Sequence, residues 1–280
     1  MKKILVPCDF SKQAVNAFRF ALDIARKSGG EVHLTHVIEL PVMHDSVLMP
    51  VMSFEEVLFK ELKEKADIQY EKLKKKYADA KDKVKTVTQF GAPARMIVSY
   101  IEDKSIDLVI MGTKGASGVK EYVIGSNAEK IVRNAPVPVI AIKDYPKGGI
   151  IKNIVFPNTL HTELQEDLMM HVKAMQHFFK ANIHIVWVNT PSNFTRDITT
   201  LKRLQDFAKR FLFKNYTIHV FNDLYEEDGI INFAHNIKAD MIAMGTHGRK
   251  GLAHVLGGSV AEDVVNHVDM PIWTYTMKNE

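Results

Sequence analysis

Two runs of glycine and serine carry the residue types that can hold a phosphate. Gly112, Gly115, Gly125 and Ser126 recur, with identical spacing, as Gly245, Gly248, Gly258 and Ser259. Glycine lets a backbone turn tightly and come close to an anion. A helix that opens there adds free N–H groups and the positive end of its dipole. Apolar residues at helical spacing follow both serines, Ala128, Ile131 and Val132 in one run and Ala261, Val264 and Val265 in the other. Phosphate is the guest this chemistry suits. The plainer alternative is that the glycines only end strands and relieve crowding. Preservation of four positions in two otherwise diverged copies favours a shared backbone requirement.

The elements that must position these residues are also repeated. Ile4-Leu5-Val6-Pro7 returns as Ile154-Val155-Phe156-Pro157, and Val32 to Val37 returns as Ile183 to Val188. Ile106 to Thr113 is echoed by Ala239 to Thr246, and Val137 to Ile140 by Met270 to Trp273. The blocks are short, β-branched and apolar at consecutive positions, as strands buried on both faces of a parallel sheet require. Helical stripes lie between them. Ser11 is placed to cap a helix carrying Ala14, Ala17, Phe18, Ala21 and Leu22 that ends near Gly29-Gly30. Glu55 to Tyr77 reads as a long amphipathic helix with a charged outer face, and Arg95 to Lys104 as a shorter one. This order predicts an α/β chain of two repeated doubly wound parallel-sheet sandwich domains, about five strands each. The expected domains are residues 1–143 and 151–280, the second partly diverged, joined by a turn-rich linker at 144–150. The last strands, Val137 to Ile142 and Ile272 to Thr276, are expected to pair edge to edge. The first copy carries extra chain after its second strand, including the apolar stretch Leu40 to Met52. It reads as a loop packed on its own domain, with a lid or oligomer contact as the alternative.

Composition excludes several function classes. Of 280 residues, 46% are hydrophobic and 25% charged, which fits a folded globular protein rather than a disordered one. A formal charge of +4 is too small to build a nucleic-acid or anionic-membrane surface. Cys8 is the only cysteine, so intrachain disulfides and cysteine-cluster zinc sites are ruled out. No apolar run approaches the roughly eighteen residues of a membrane span, and a cytoplasmic location is expected. Beside Asp9, Cys8 reads as a buried, inert thiol rather than a redox sensor. The Gly-x4-Gly-Lys-Ser/Thr pattern of P-loop enzymes is absent, and no Gly-x-Gly-x-x-Gly follows the first strand. Ser28-Gly29-Gly30 falls after the first helix, where a C-cap explains it. Most of the twelve histidines lie after residue 160, yet no His-Glu-x-x-His spacing occurs, so no metal ligand is assigned. No catalytic residue is assigned either.

The two glycine-serine runs, the opening Ile4-Leu5-Val6-Pro7-Cys8-Asp9-Phe10-Ser11 and the Ala128-Glu129-Lys130 segment resemble the universal stress protein family. The resemblance covers nearly the whole chain and implies a tandem two-domain member. It implies ATP, with ADP or AMP as alternatives and Mg²⁺ as a companion of the nucleotide. Carried over residue by residue, Pro7 and Asp9 lie at the adenosine end and Val37 forms the apolar wall of the base pocket. Gly112, Lys114, Gly115, Gly125, Ser126 and Asn127 form the ribose and phosphate cradle. In the second copy Val188 keeps the wall, and Gly245, His247, Gly248, Arg249, Gly258 and Ser259 match the cradle. There Thr159 stands where Asp9 does, so the adenosine carboxylate is missing and the first site ranks ahead.

The expected role is therefore nucleotide binding in a regulatory stress response, with little or no catalysis. Partners are the nucleotide and either a second copy or a regulatory protein, without nucleic acid or membrane. A nucleotide-independent interaction scaffold with degenerate sites is the competing reading.

Overall fold

The computed structural model describes residues 1–39, 51–113, 124–146, 151–160, 166–246 and 260–277. In the N-terminal half the order is β1 (Lys3–Pro7), α1 (Lys12–Ser28), β2 (Glu31–Ile38), α2 (Val51–Tyr77), β3 (Lys83–Phe90), α3 (Pro93–Lys104), β4 (Leu108–Gly112), α4 (Ser126–Asn134) and β5 (Val139–Ile142). The C-terminal half repeats it with β6 (Asn153–Pro157), α5 (Glu166–Phe179), β7 (Asn182–Asn189), α6 (Asp197–Arg210), β8 (Tyr216–Asn222), α7 (Glu226–Asn236), β9 (Met241–Thr246), α8 (Val260–His267) and β10 (Ile272–Thr276). Both halves join in one ten-stranded sheet, ordered β3-β2-β1-β4-β5-β10-β9-β6-β7-β8. The expected α/β fold with doubly wound parallel strands is what the chain adopts.

Pairing within each half is parallel, and the halves meet through antiparallel β5 and β10. Ile272 faces Ala141, Trp273 faces Ile140 and Thr274 faces Val139, so each half covers an edge the other would leave exposed. Trp273 is fully buried at this seam. One apolar layer packs α1, α2, α5 and α6 on one face of the sheet, and a second packs α3, α4, α7 and α8 on the other. Alternation along β2 sends Val32 and Leu34 to the first layer and Val37 to the second.

Local signals account for the helix ends. The Ser11 hydroxyl accepts from the Ala14 N–H at 3.3 Å, and Gly29 closes α1 at φ 63°, the left-handed conformation that glycine adopts without a Cβ clash. Two helices start earlier than the sequence pattern suggests. Helix α2 begins at Val51, four residues before Glu55, so its first turn takes part of the stretch read as loop; residues 40–50 lie outside the described chain. Helix α3 begins at Pro93, whose missing N–H costs nothing at a first helical position. Tyr70 anchors the otherwise charged α2. Its hydroxyl accepts from the His36 N–H and donates to the Val87 carbonyl, both at 2.7 Å, across β2 and β3.

Arg26 near the end of α1 forks onto Asp82, with Nε to Oδ1 at 3.0 Å and the terminal nitrogen to Oδ2 at 2.6 Å. The guanidinium holds the Asp82 carboxyl below the ordinary range, with a further hydrogen bond from the Asp79 N–H in support. Because the folded-state pKa is depressed, the stabilisation is present at neutral pH and fades as pH falls below about 4. Asp82→Asn is expected to cost about 1–2 kcal/mol at pH 7, a modest figure because Arg26 remains 38% exposed and screened. Urea unfolding at pH 7 and pH 3 checks this, and an equal loss at both values would contradict the pairing.

Candidate functional site

The strand ends of the N-terminal half are shaped first by the β1–α1 turn. Cys8 N–H bonds the Thr35 carbonyl at 2.8 Å, and the Asp9 carboxylate accepts from the Ser11 N–H at 3.0 Å. Phe10 sits between them at φ 64°, a conformation that side chains rarely take. Its ring is held against His36 at 4.8 Å and Tyr70 at 5.4 Å, which offsets the strain. Leu160 repeats this turn at φ 59°, and Asn158 N–H bonds the Val186 carbonyl at 3.0 Å. The register therefore puts Thr159 opposite Asp9. In the C-terminal half a neutral residue closes this turn, since Asn158 Oδ1 accepts from the Leu160 N–H at 2.7 Å. That substitution was missed from sequence, although an Asn between a strand and a turn is itself a turn signal. Burial pushes the Cys8 thiol up to about 12, so it stays protonated at neutral pH.

The described glycines of the two runs have different reasons to be glycine. A Cβ on Gly112 would lie 2.7 Å from the Gln13 Cβ and 2.9 Å from its carbonyl carbon, so this residue admits the first turn of α1 onto β4. A Cβ on Gly245 would lie 2.7 Å from Leu168 Cδ2 on α5. Crowding relief thus explains both strand-end glycines. Gly125 differs, since its φ of −64° and ψ of 140° suit any residue. It is the N-cap of α4 and, among the described residues, gives that helix no side-chain cap; Ser126 and Asn127 beside it are exposed. Two hydrogen bonds fix the mouth of this loop, Thr113 N–H to the Ile142 carbonyl at 3.0 Å and Gly125 N–H to the Thr113 carbonyl at 2.7 Å. Lys114, Gly115, His247, Gly248, Arg249, Gly258 and Ser259 lie outside the described residues.

The C-terminal half also holds the two ends of α4. Ile124 N–H donates to Asn266 Oδ1 on α8 at 2.7 Å, and Thr276 Oγ1 donates to the Val132 carbonyl at the end of α4 at 3.1 Å. Neither contact was legible in the sequence. Asn266→Ala is expected to raise hydrogen exchange at the Ile124 amide about fivefold, the value of one hydrogen bond. Unchanged protection would show that Ile124 holds its position without α8.

At the C-terminal ends of β2, β3 and β4 lie polar atoms that the fold itself does not satisfy. Thr35 Oγ1, Gln89 Oε1 and Thr113 Oγ1 are buried without a hydrogen-bond partner. Thr35 is 1% exposed and Thr113 3%. Strand alternation puts them on one face with Val37 and Met111, near the C-terminal ends of β2, β3 and β4. Thr88 lies on the opposite face, against Tyr70. Each such orphan costs about 1–3 kcal/mol of desolvation. At the equivalent positions the C-terminal half carries no such orphan, although Trp273 Nε1 at the seam is a buried orphan of that half. Register places Val186 where Thr35 stands and Phe221 where Gln89 stands, and Thr246 Oγ1 donates to Thr276 Oγ1 at 3.1 Å.

Val37 and Val188, the two expected walls, are also treated differently. Val37 is half-buried. Val188 is covered by α7 so closely that a Cβ on Gly229 would come within 2.4 Å of it. Beside it Asn189 is bonded to Trp187 Nε1 and the Thr195 carbonyl, filling the region with a self-satisfied network. In the N-terminal half Pro7 lies beside Thr35 and Val37 beside Gln89, whereas the corresponding Val188 of the C-terminal half is packed into a core.

A model of the universal stress protein family matches residues 1–143 and 200–275. The chain belongs to that family. A universal stress protein of Methanocaldococcus jannaschii is 33% identical over 142 residues, covering 51% of this chain and 82% of the relative. One from Synechocystis is 23% identical over 295 residues, covering 98% of this chain and 100% of the relative. A universal stress protein structure from Archaeoglobus fulgidus shares the fold over 98% of both chains, at a TM-score of 0.76 and 20% identity. Among the described residues of this universal stress protein, no helix is long and apolar enough to cross a membrane. No three His, Cys, Asp or Glu side chains gather there at metal-binding distance.

Proposed function

We propose that this universal stress protein is a regulatory nucleotide-binding protein whose N-terminal half holds ATP, or ADP or AMP, with Mg²⁺ as companion. Residues 1–143 and 151–280 form its two domains and 144–150 the linker between them. The observation that carries the reading is the asymmetry between the halves. The first keeps three unpaired buried oxygens at the ends of β2, β3 and β4, and the second has apolar or mutually bonded groups at the same positions. Asp9 and Pro7 lie at the adenosine end, Val37 flanks the base, and Gly125, Ser126 and Asn127 face the phosphates together with Lys114 and Gly115. A phosphate at the α4 N-terminus gains both open N–H groups and the helix dipole. The role is cytoplasmic and regulatory, with little or no hydrolysis, and no catalytic residue is assigned. The C-terminal half, with Gly245, His247, Gly248, Arg249, Gly258 and Ser259, is an anion-binding relic that supports the first.

Mass spectrometry of small molecules released from the denatured full chain tests this, followed by calorimetry with ATP, ADP and AMP with and without Mg²⁺. Released nucleotide and saturable heat are the expected results. A second reading, an interaction scaffold independent of nucleotide, draws on one feature. Phe194, Ile198, Leu224 and Tyr225 are 60–79% exposed at the strand ends of the C-terminal half. Their loops are tied by Asn193 Nδ2 donating to Glu226 at 2.7 Å. Absence of both released nucleotide and binding heat would favour that scaffold.

A further inference from the structure

We propose that β8, the free edge of the C-terminal half, is a docking strand for a second copy of this chain, paired antiparallel β8 to β8 about a two-fold axis. The inference is independent of the nucleotide reading. The ten-stranded sheet ends in β3 on one side and β8 on the other, and among the described residues β8 pairs with β7 alone. Each edge presents a row of unpaired backbone N–H and C=O groups, which natural sheets protect with lysine, proline or a bulge. β3 is protected in that way. Its Lys83 and Lys85 are exposed, and Lys85 Nζ reaches Glu31 on β2 at 2.9 Å. β8 is not. Its seven residues, Tyr216–Asn222, include no lysine, arginine, carboxylate, proline or glycine. Register narrows the contrast to a single position. Leu5 pairs with His33 and His33 with Lys85 in the first half, and Val155 pairs with His184 and His184 with Thr217 in the second. Thr217 therefore stands where Lys85 guards the other edge.

The surroundings of β8 identify the occupant. Leu212, in the turn before the strand, and Leu224 and Tyr225, just after it, are 60–72% exposed. Tyr216, Ile218 and Val220 belong to one apolar layer and Phe221 to the other, all half-buried, so both layers of the core run out at this edge. Charge is divided along the strand. Lys209 and Arg210 in the last turn of α6, with Lys214, precede β8, whereas Asp223 and the first-turn Glu226, Glu227 and Asp228 of α7 follow it. A two-fold axis through the middle of β8 sets the basic end of each copy against the acidic end of the other, and Leu212 against Leu224 and Tyr225. Parallel pairing would set lysine against lysine and carboxylate against carboxylate, which is destabilising. The chain already makes the favoured kind of junction internally, where β5 and β10 meet antiparallel. A second copy supplies backbone partners, apolar cover and opposite charge together, which is the chemistry of strand addition and of a self-complementary two-fold contact.

Sedimentation equilibrium of the full chain without nucleotide, from micromolar to submillimolar concentration, tests this. The wild-type chain is expected to reach the mass of two copies at the upper concentrations. Thr217→Lys gives β8 the residue of the protected edge at an exposed position and is expected to weaken the dimer about a hundredfold. Lys214→Glu and Glu227→Lys are each expected to weaken it about tenfold. Combining them is expected to restore the dimer to within about threefold of wild type, because the opposed ends attract again. Circular dichroism checks that each variant keeps the native fold. Should Thr217→Lys not fold, Leu212→Glu, outside the strand, is expected to weaken the dimer about tenfold, and an undiminished dimer there overturns the proposal. A wild-type chain that stays monomeric throughout overturns it as well. A dimer that Thr217→Lys leaves intact, or charge variants that do not recover when combined, overturn the antiparallel pairing of β8. None of these outcomes bears on the nucleotide reading.

Discussion

Gly112→Ala is expected to lower the unfolding free energy by about 2–3 kcal/mol, the cost of forcing a methyl group into a packed interface. The added carbon would sit 2.7 Å from the Gln13 Cβ, 2.9 Å from the Gln13 carbonyl carbon and 3.1 Å from the Ala14 nitrogen. Two of those atoms are helix backbone, so no rotamer change relieves the clash. Either α1 moves away from β4 or β4 bends, and both disturb core that includes the buried Ala14, Ala17 and Phe18. Gly245→Ala provides the internal comparison. Its nearest obstacle is the Leu168 Cδ2 at the tip of a flexible side chain, and Met277 follows at 3.4 Å. Rotation of Leu168 can accommodate most of the methyl, so a loss of about 1 kcal/mol is expected. Urea unfolding of the two variants should rank Gly112→Ala well below Gly245→Ala. Equal losses, or a neutral Gly112→Ala, would refute the close approach of α1 as the reason for glycine there.

This contrast shows where sequence reading stopped. The strands were legible because a parallel sheet covered on both faces needs consecutive apolar residues, which Ile4 to Val6 and Ile154 to Phe156 supply. The β5–β10 seam was legible for a related reason, since two apolar terminal strands at sheet edges require a partner. The start of α2 was not. Val51, Met52 and Phe54 lack the charge alternation that marks the helix from Glu55 onward, so the first turn merged with the apolar stretch before it. Within the site, a shared glycine spacing could not separate Gly112, which packs against α1, from Gly125, whose backbone suits any residue. Thr35 and Gln89 carried no signal, because a threonine in a strand reads as an ordinary β-former. Their importance is visible only once neighbouring strands and helices leave their oxygens without partners. Asn266 was equally silent, being a helix-end asparagine until the fold sets it 2.7 Å from the Ile124 amide.

Gly125→Val is expected to weaken nucleotide affinity about a hundredfold while changing stability little, the reverse of Gly112→Ala. The loss corresponds to about 2.7 kcal/mol, the worth of one or two charge-assisted hydrogen bonds from helix N–H groups to phosphate. Valine accepts the extended conformation found at residue 125, with φ −64° and ψ 140°, so no backbone strain enters. As an N-cap it is poorer than glycine, and a cost of up to about 1 kcal/mol covers that difference. Its branched side chain would stand over the first-turn amides of α4, where Ser126 and Asn127 are exposed. An anion would then be kept from the closest approach to those donors, and the dipole contribution falls steeply within the first turn. Calorimetric titration with ATP and urea unfolding of the same preparation separate the two effects. Full ATP affinity in a folded Gly125→Val protein would mean that the phosphates do not rest on the α4 N-terminus. A matching loss of stability would mean that Gly125, like Gly112, is glycine because the fold leaves it no room.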